Sequence, residues 1–554
     1  MNARRWVLVV VIVFIAALVG VVALFAGGLR AWAFSQTGEE ALFGQVRGVG
    51  ELVLNLAQPR RQLALDAQIA HTGVNPFGIN TFLHHEVEPE KREQQLALIS
   101  AAGFRWIRQE FPWEDIEIHE RGDFTDRRND PAGIDAWLKY DQIVALADEY
   151  GVEIIARLSN PPSWSRAAGD EMGTHAPPDD YDDYARFAAT VAERYRGQIR
   201  YYQVWNEPNI YPEWGELPID PEGYTDLLCR AYRAIKAADP DAVVLSAPLA
   251  PTLELDERNL NDLIFLQRMY DAGAAGCFDI LSTQGYMLWS GPTDRRMQPV
   301  SLNYAHVEYV RDVMVRNGDA EKPIWISETN SNASPEDVEP RYGRVTLQQQ
   351  ARYAPLAYQR AQEDWPFVGV IAFWYFKRAE WTWLEERRPE AYFQMADPDF
   401  NLMPVYDSMK EYANQPPVMY RGRHAAGHWA VQPGEGWSED DNGLRAASGA
   451  EPLSLTFDGA ALGVELASGG ITYRVDGGPA QNFTSAGGME TIWRGRGGEH
   501  TILIEPAGEA VIAAFRVADA PRPGIAGIVA ALVILSGILY AFWRARRVSE
   551  AGSG

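Results

Sequence analysis

Between residues 75 and 412, short apolar stretches alternate eight times with longer amphipathic ones. Short apolar runs bounded by turn residues predict buried strands, and apolar residues spaced three and four apart predict helices. Strands that alternate with helices form a parallel sheet, because each helix carries the chain back across the sheet. The predicted strands are residues 76–82, 104–108, 152–158, 201–207, 242–246, 278–286, 322–328 and 367–375.

Eight strand and helix units predict an α/β fold, a (β/α)8 or TIM barrel, over residues 75–414. Such a barrel carries its active site on the loops at the C-terminal ends of its strands. Polar residues at those ends are therefore the candidates for function.

Two of the predicted strands end in a glutamate. Glu207 closes the fourth strand in the string Trp-Asn-Glu-Pro-Asn, where Pro208 must end the ladder. Glu328 closes the seventh strand in the string Trp-Ile-Ser-Glu-Thr. Cleavage of a glycosidic bond needs two carboxyl groups, one to protonate the leaving oxygen and one to attack or to activate water. A single glutamate at a strand end would instead indicate a surface ion pair.

The string Trp205 to Asn209 resembles the acid/base motif of the retaining glycoside hydrolases of clan A, with families 5 and 39 the nearest. In that clan the acid/base follows barrel strand four and the nucleophile follows strand seven. Glu207 and Glu328 end predicted strands four and seven. The resemblance covers residues 75–412 and implies a carbohydrate substrate, retention of configuration and no cofactor or metal. It implies that Glu207 is the general acid and base and that Glu328 is the nucleophile.

The same resemblance implies roles for further residues. Arg108 would keep the nucleophile ionised and oriented, and Asn206 would bind the 2-hydroxyl of the sugar. Tyr286 would donate a hydrogen bond to Glu328, and Trp374 on strand eight would form the floor of the sugar subsite. The alternative for Arg108 is that it takes part in a structural ion pair on the surface.

Aromatic residues are frequent in the loops that follow the predicted strands. An exposed ring can stack on a sugar, whereas a buried ring only fills volume, and the clustering after strands favours a sugar cleft. Trp164, after strand three, is the aromatic candidate for substrate binding that we single out. The set comprises Trp113, Trp164, Tyr211, Trp214, Trp289, Trp381 and Trp383.

The charge balance restricts the partners. The chain has 50 Lys and Arg residues against 75 Asp and Glu residues, a formal charge of -25, which argues against nucleic acid and leaves neutral glycans open. The only two cysteines, Cys229 and Cys277, match no metal spacing. They are interpreted as buried apolar side chains, with a disulfide as the alternative.

Two long apolar runs lie near the ends of the chain. Trp6 to Ala26 follows two arginines, and Ile525 to Trp543 precedes three. Each run is long enough to cross a hydrocarbon core of about 30 Å at about 1.5 Å per residue. The positive-inside rule then predicts transmembrane helices at 6–26 and 524–543, both termini in the cytoplasm and the rest outside the cell membrane. A cleaved signal peptide is the alternative for the first run.

Residues 27–74 form a predicted stem between the first run and the barrel. Its apolar residues recur near helical spacing, which predicts a helix that packs on the barrel or on the membrane surface. They are Leu42, Val46, Val49, Val53 and Leu56.

Residues 420–518 differ in pattern from the barrel. Short alternating runs such as 453–457, 471–475 and 501–504 lie between glycine-rich turns, which predicts a β-sandwich. The sandwich is interpreted as either a glycan-binding module or a spacer. For the whole protein, the alternatives to hydrolysis are transglycosylation at the same site and a catalytically silent glycan-binding or envelope protein.

Overall fold

The structure, a computed structural model, describes residues 28, 30–55, 58–297, 301–484 and 487–519. Both predicted transmembrane helices, 6–26 and 524–543, lie outside these residues. Within the described ranges, no helix combines the length and the apolar character that a membrane crossing requires.

Eight parallel strands form the barrel that the sequence predicts. Their order around the sheet is β5, β4, β3, β2, β1, β8, β7, β6. Parallel bridges that pair Leu245 with Ile280 and Leu249 with Thr283 close the barrel between β5 and β6. The strands are β1 Phe77–Thr81, β2 Trp106–Pro112, β3 Glu153–Ser159, β4 Tyr201–Val204, β5 Val243–Leu245, β6 Leu281–Gln284, β7 Ile324–Thr329 and β8 Val368–Phe373.

A helix of ten or more residues follows each strand and covers the outside of the barrel. In α3, for example, the side chain of Asp180 accepts from the backbone of Asp182 at the N-terminus, and apolar residues such as Phe187 and Val191 face the strands. The helices are α1 Pro89–Ala101, α2 Leu138–Glu149, α3 Tyr181–Arg194, α4 Pro221–Ala238, α5 Asp262–Asp271, α6 Val307–Arg316, α7 Leu347–Asp364 and α8 Pro404–Ala413.

Three aromatic rings fill the N-terminal end of the barrel interior. The rings of Trp106, Tyr201 and Trp325 lie with their centroids 5.0 to 5.1 Å apart. The residues two positions further along β2 and β4 are Arg108 and Gln203, which also point inward because side chains alternate along a strand. The interior is therefore apolar at its floor and polar at its C-terminal mouth.

Two antiparallel sheets follow the barrel, as predicted for the C-terminal region. One sheet has the order β11, β12, β19, β14, β17, and β9 pairs with β19 on the same edge as β12, at the residues that follow; the other sheet has the order β10, β13, β18, β15, β16. The strands are β9 Gly422–Ala425, β10 Val431–Gln432, β11 Trp437–Asp440, β12 Gly443–Ala446, β13 Leu453–Asp458, β14 Ala461–Ser468, β15 Gly470–Val475, β16 Gln481–Thr484, β17 Met489–Arg494, β18 Glu499–Pro506 and β19 Ala510–Ala518.

The sandwich contacts the barrel at the end away from the mouth. The backbone of Trp429 donates to Gly73 at 2.7 Å, and its ring packs edge-on against Phe77 at the start of β1. The barrel strands run from this end toward the mouth. The residues of this contact therefore lie at the end of the barrel opposite the mouth.

The predicted stem contains helix Leu42–Asn55, here called the stem helix. It packs through Gln45, Gly48 and Leu52, and not through the apolar stripe that the sequence suggested. Leu42, Val46 and Val53 of that stripe are exposed, Val49 is only partly buried, and Leu56 lies outside the described residues.

The interpretation of the cysteines as unpaired is wrong, because Cys229 and Cys277 form a disulfide with their Cα atoms 4.7 Å apart. Cys229 lies in α4 and Cys277 precedes β6. These segments become neighbours only when the barrel is wound, because α4 packs beside α5 and the turn that follows it.

Candidate active site

Glu328 points into the barrel because β7 contains one extra residue. Thr283 of β6 pairs with Ile326, but the next residue, Gln284, pairs with Glu328. The pairing of β7 with β8 shifts in the same region. Such a bulge turns two successive side chains toward one side, and both Ser327 and Glu328 accept hydrogen bonds from inside the barrel.

Arg108 is the centre of the polar network beneath the mouth. Its side chain is 1% exposed, and its Nη1 donates to Glu328 Oε1 at 2.8 Å. The guanidinium also donates to Asn206 Oδ1 at 2.7 Å, to Gln203 Oε1 at 2.6 Å and to Asn80 Oδ1 at 2.9 Å. The planar guanidinium thus joins β1, β2, β4 and β7 around the nucleophile candidate.

Tyr286 holds the other oxygen of the same carboxylate. Its hydroxyl donates to Glu328 Oε2 at 2.6 Å. Burial, together with the negative charge of Glu328, raises the pKa of Tyr286 well above its ordinary value, so the hydroxyl remains a donor. Both oxygens of Glu328 are therefore fixed by groups that the sequence analysis assigned to it.

Glu207 lies in a strained turn immediately after β4. Its φ is +39° and that of Trp205 is +75°. Residues other than glycine rarely adopt such positive values, and those that do are frequent at functional sites. Gln284 Nε2 donates to Glu207 Oε1 at 2.9 Å. Burial and the nearby charge of Glu328 raise the pKa of Glu207 to about 8.

Asn206 is buried beside both glutamates. Its side-chain oxygen is occupied by Arg108, and its amide nitrogen makes no hydrogen bond within the described residues. That nitrogen is the group of Asn206 that a sugar hydroxyl could accept from.

Trp374 lies one residue beyond β8 and is partly buried. Its ring packs edge-on against Phe82 at 5.6 Å, and its carbonyl accepts from Asn330 Nδ2 at 2.7 Å. Trp164 packs edge-on against Trp113 at 5.5 Å, and its indole N–H donates to the carbonyl of Glu117. Trp164 thus contacts the loop that follows β2.

The loop aromatics differ in exposure. Trp113 and Trp214 are 0% and 1% exposed, so of the two alternatives, sugar platform or core packing, these rings belong to the core. Tyr211, Trp289 and Trp381 are 44%, 69% and 40% exposed. Trp164 and Trp383 are partly buried, so a sugar could reach the three exposed rings and part of these two.

The sequence analysis missed a charged pair beside the site. Arg157 on β3 contacts Glu110 on β2 at 3.1 Å, and Ser159 donates to the same carboxylate at 2.9 Å. Burial opposes ionisation of Glu110, but Arg157 and His84 outweigh it and lower the pKa to about 2. The available signal was the spacing, because Glu110 follows Arg108 by two residues and so shares its face of the strand.

No family matches the sequence, and no curated protein does. Similar solved structures include a family 39 glycoside hydrolase from Bacteroides cellulosilyticus WH2, at 15% identity and a TM-score of 0.46 over 81% of this chain and 83% of that one. A GH39 β-xylosidase from Caulobacter crescentus matches at 15% identity and a TM-score of 0.44 over 80% and 98% of the chains. GH5_18 from Streptomyces cattleya in complex with GlcNAc matches at 16% and 0.44 over 64% and 83%.

Proposed function

We propose that the protein is a retaining glycoside hydrolase that cleaves O-glycosidic bonds of an oligo- or polysaccharide. Glu207 would be the general acid and base, and Glu328 the nucleophile. The proposal places the barrel on the outer side of the cell membrane, following the two apolar runs of the sequence. The described disulfide is consistent with an oxidising compartment.

The observation that carries the proposal is the difference between the two carboxyl environments. Glu328 accepts hydrogen bonds from a guanidinium and from a phenol, which suits a charged nucleophile. The pKa of Glu207 is raised to about 8, which suits an acid that is protonated at neutral pH. The two environments favour different protonation states for the two carboxyl groups. This difference assigns the acid role to one group and the nucleophile role to the other.

The reaction would proceed in two steps. Glu328 attacks the anomeric carbon while Glu207 protonates the leaving oxygen, which gives a covalent glycosyl-enzyme. Glu207, now a carboxylate, removes a proton from a water molecule as that water attacks the anomeric carbon from the face that the leaving group vacated, opposite Glu328. The bond to Glu328 breaks, and the two inversions together retain the configuration. The amide nitrogen of Asn206 would donate to the 2-hydroxyl of the bound sugar, and Trp374 would contact its ring.

Azide rescue of two variants tests the assignment of roles. Glu207→Ala should form the glycosyl-enzyme from a substrate whose leaving group needs no protonation, and azide should then give a glycosyl azide of retained configuration. Glu328→Ala cannot form the intermediate, so azide should displace the leaving group directly and give the inverted product. Exchanged products would exchange the roles, and two fully active variants would refute the site.

The stereochemistry of the unmodified enzyme provides a second test. The retaining mechanism requires carboxyl groups about 5 to 5.5 Å apart, too close for a water to attack directly. Proton NMR of the first-formed product should show the anomer of the substrate. An inverted first product would exclude Glu328 as a nucleophile.

A further inference from the structure

The stem helix presents an apolar face to solvent. In a helix with about 100° of rotation per residue, its five most exposed large apolar residues occupy an arc of about 120°. This arc lies opposite the buried face formed by Gln45, Gly48 and Leu52, which contacts the preceding stem residues Arg30, Thr37 and Glu39. A contiguous exposed apolar face of this kind usually marks a contact surface. The exposed fractions are Leu42 62%, Phe43 82%, Val46 66%, Val53 40% and Leu54 62%.

The direction of this face is fixed relative to the barrel. Gly38, just before the stem helix, lies so close to Gly291 that a Cβ on it would come within 2.7 Å of that backbone. Arg296 donates to Glu39 at 3.0 Å and to Glu51 at 2.8 Å. Burial lowers the pKa of Arg296, but Asp294, followed by Glu51 and Glu39, outweighs it and raises that pKa. The stem helix is thus held by close packing and by partly buried ion pairs.

The stem helix lies at the catalytic end of the barrel. Gly291 and Arg296 belong to the loop that leaves the C-terminal end of β6, and the same loop carries Tyr286, which donates to Glu328. A hollow of about 450 Å³ separates the stem helix from Leu253 and Trp289 in the loops after β5 and β6. These two residues are 41% and 69% exposed and form a second exposed apolar patch on the rim of the mouth, across a hollow that Arg47 and Glu51 line on the stem-helix side.

The chain itself indicates what covers this face. Gln45 Nε2 in the stem helix donates to the carbonyl of Arg30 at 3.2 Å. The apolar run that predicts the first transmembrane helix ends at Ala26, four residues before Arg30. Four residues reach at most about 14 Å, so the stem helix must lie close to the point where that run ends.

We propose that the exposed face of the stem helix lies on the lipid bilayer and holds the rim of the catalytic mouth at the membrane surface. A helix with one apolar face and a polar opposite face binds at the boundary between headgroups and acyl chains, and Phe43 and Leu42 are suited to that depth. The proposal rests on the predicted membrane crossing of residues 6–26. It does not depend on the reaction proposed for the site.

Site-specific fluorescence in the full chain tests the proposal. Cysteine is introduced singly as Phe43→Cys or Val46→Cys, labelled with an environment-sensitive dye, and the protein is reconstituted in phosphatidylcholine vesicles with and without doxyl-labelled phosphatidylcholine. The native cysteines do not compete for the dye because they form a disulfide. Leu138→Cys on α2, across the barrel, and Leu503→Cys on the sandwich are controls, at 59% and 37% exposure.

We expect the doxyl lipid to quench the dye at residues 43 and 46 and to leave the dye at 138 and 503 unchanged. A dye at 43 and 46 that emits as it does in water would overturn the proposal. A dye that is shielded from water but not quenched would also overturn it, because a second copy or another segment of this chain would then cover the face. Repeating the measurement in a Glu207→Gln background separates this result from any failure of the proposed reaction.

Discussion

Arg108 and Glu328 form a buried ion pair, 2.8 Å between Nη1 and Oε1, in which the two side chains are 1% and 6% exposed. Three neutral oxygens, from Asn80, Gln203 and Asn206, accept the remaining hydrogen bonds of the guanidinium. A buried pair is useful chiefly when its geometry is fixed, since desolvation offsets much of its attraction. The pair therefore serves to orient the carboxylate rather than to stabilise the fold.

Arg108→Lys should lower kcat by about 10²- to 10³-fold with a smaller change in KM, because an ammonium cannot make four hydrogen bonds in one plane. Steady-state kinetics on an aryl glycoside cleaved by the unmodified enzyme measures the effect. Arg105→Lys, three residues earlier and bonded only to backbone carbonyls, is the matched control and should retain activity. Methylguanidine should partly restore Arg108→Ala; full activity of Arg108→Lys would remove Arg108 from the site.

The pH dependence should show an alkaline limit set by Glu207. The general acid must be protonated in the free enzyme, and its pKa is raised to about 8 by burial and by Glu328. The value of kcat/KM should therefore fall about tenfold per pH unit above about pH 8. In Glu328→Gln the repulsion is lost, so a carbon NMR titration should find a lower pKa for Glu207. An unchanged pKa would mean that the two carboxyl groups do not interact.

The barrel could be predicted from the sequence because its strands and helices differ in periodicity over many residues. The end of β2 could not. It was predicted at Arg108 but extends to Pro112, because Gln109 and Glu110 are buried polar residues and interrupt the apolar run. Where a strand ends in buried polar residues, its apolar pattern therefore predicts the C-terminal end too early. That end is the one that forms the polar mouth.

The two glutamates could be found because each lies at or just beyond the C-terminal end of a strand, in a recognisable string. The spacing from Arg108 places Glu110 on the inward face of β2, but its pairing with Arg157 could not be predicted, since that partner lies on the next strand. The same holds for Trp113 and Trp214, which a single sequence cannot distinguish from exposed rings such as Trp289. Burial depends on contacts between distant segments.

Glu207→Gln should stabilise the fold, and more so as the pH rises. The folded-state pKa of Glu207 is about 8 against an ordinary 4.5, so the contribution of the neutral form is complete below about pH 4.5 and is lost as the pH rises toward 8. The neutral amide avoids that loss, by at most about 1.4 kcal/mol per pH unit. The gain in Tm, measured by circular dichroism, should be larger at pH 8 than at pH 5. An equal gain in Tm at pH 5 and pH 8 would mean that the pKa of Glu207 in the folded protein is not raised.

Removal of the disulfide between Cys229 and Cys277 should destabilise the barrel without changing its site. The bond joins two residues that are 48 positions apart in the sequence. Opening a loop of this size lowers the free energy of unfolding by about 2 to 4 kcal/mol, mostly because the unfolded chain gains conformational freedom. The double variant with alanine at both positions should unfold at lower urea, with kcat and KM unchanged below the transition. Dithiothreitol should shift the unmodified protein toward the same midpoint and leave the variant unaffected. If thiol titration of the unfolded, unreduced protein found two free thiols, the bond would not form in the isolated protein.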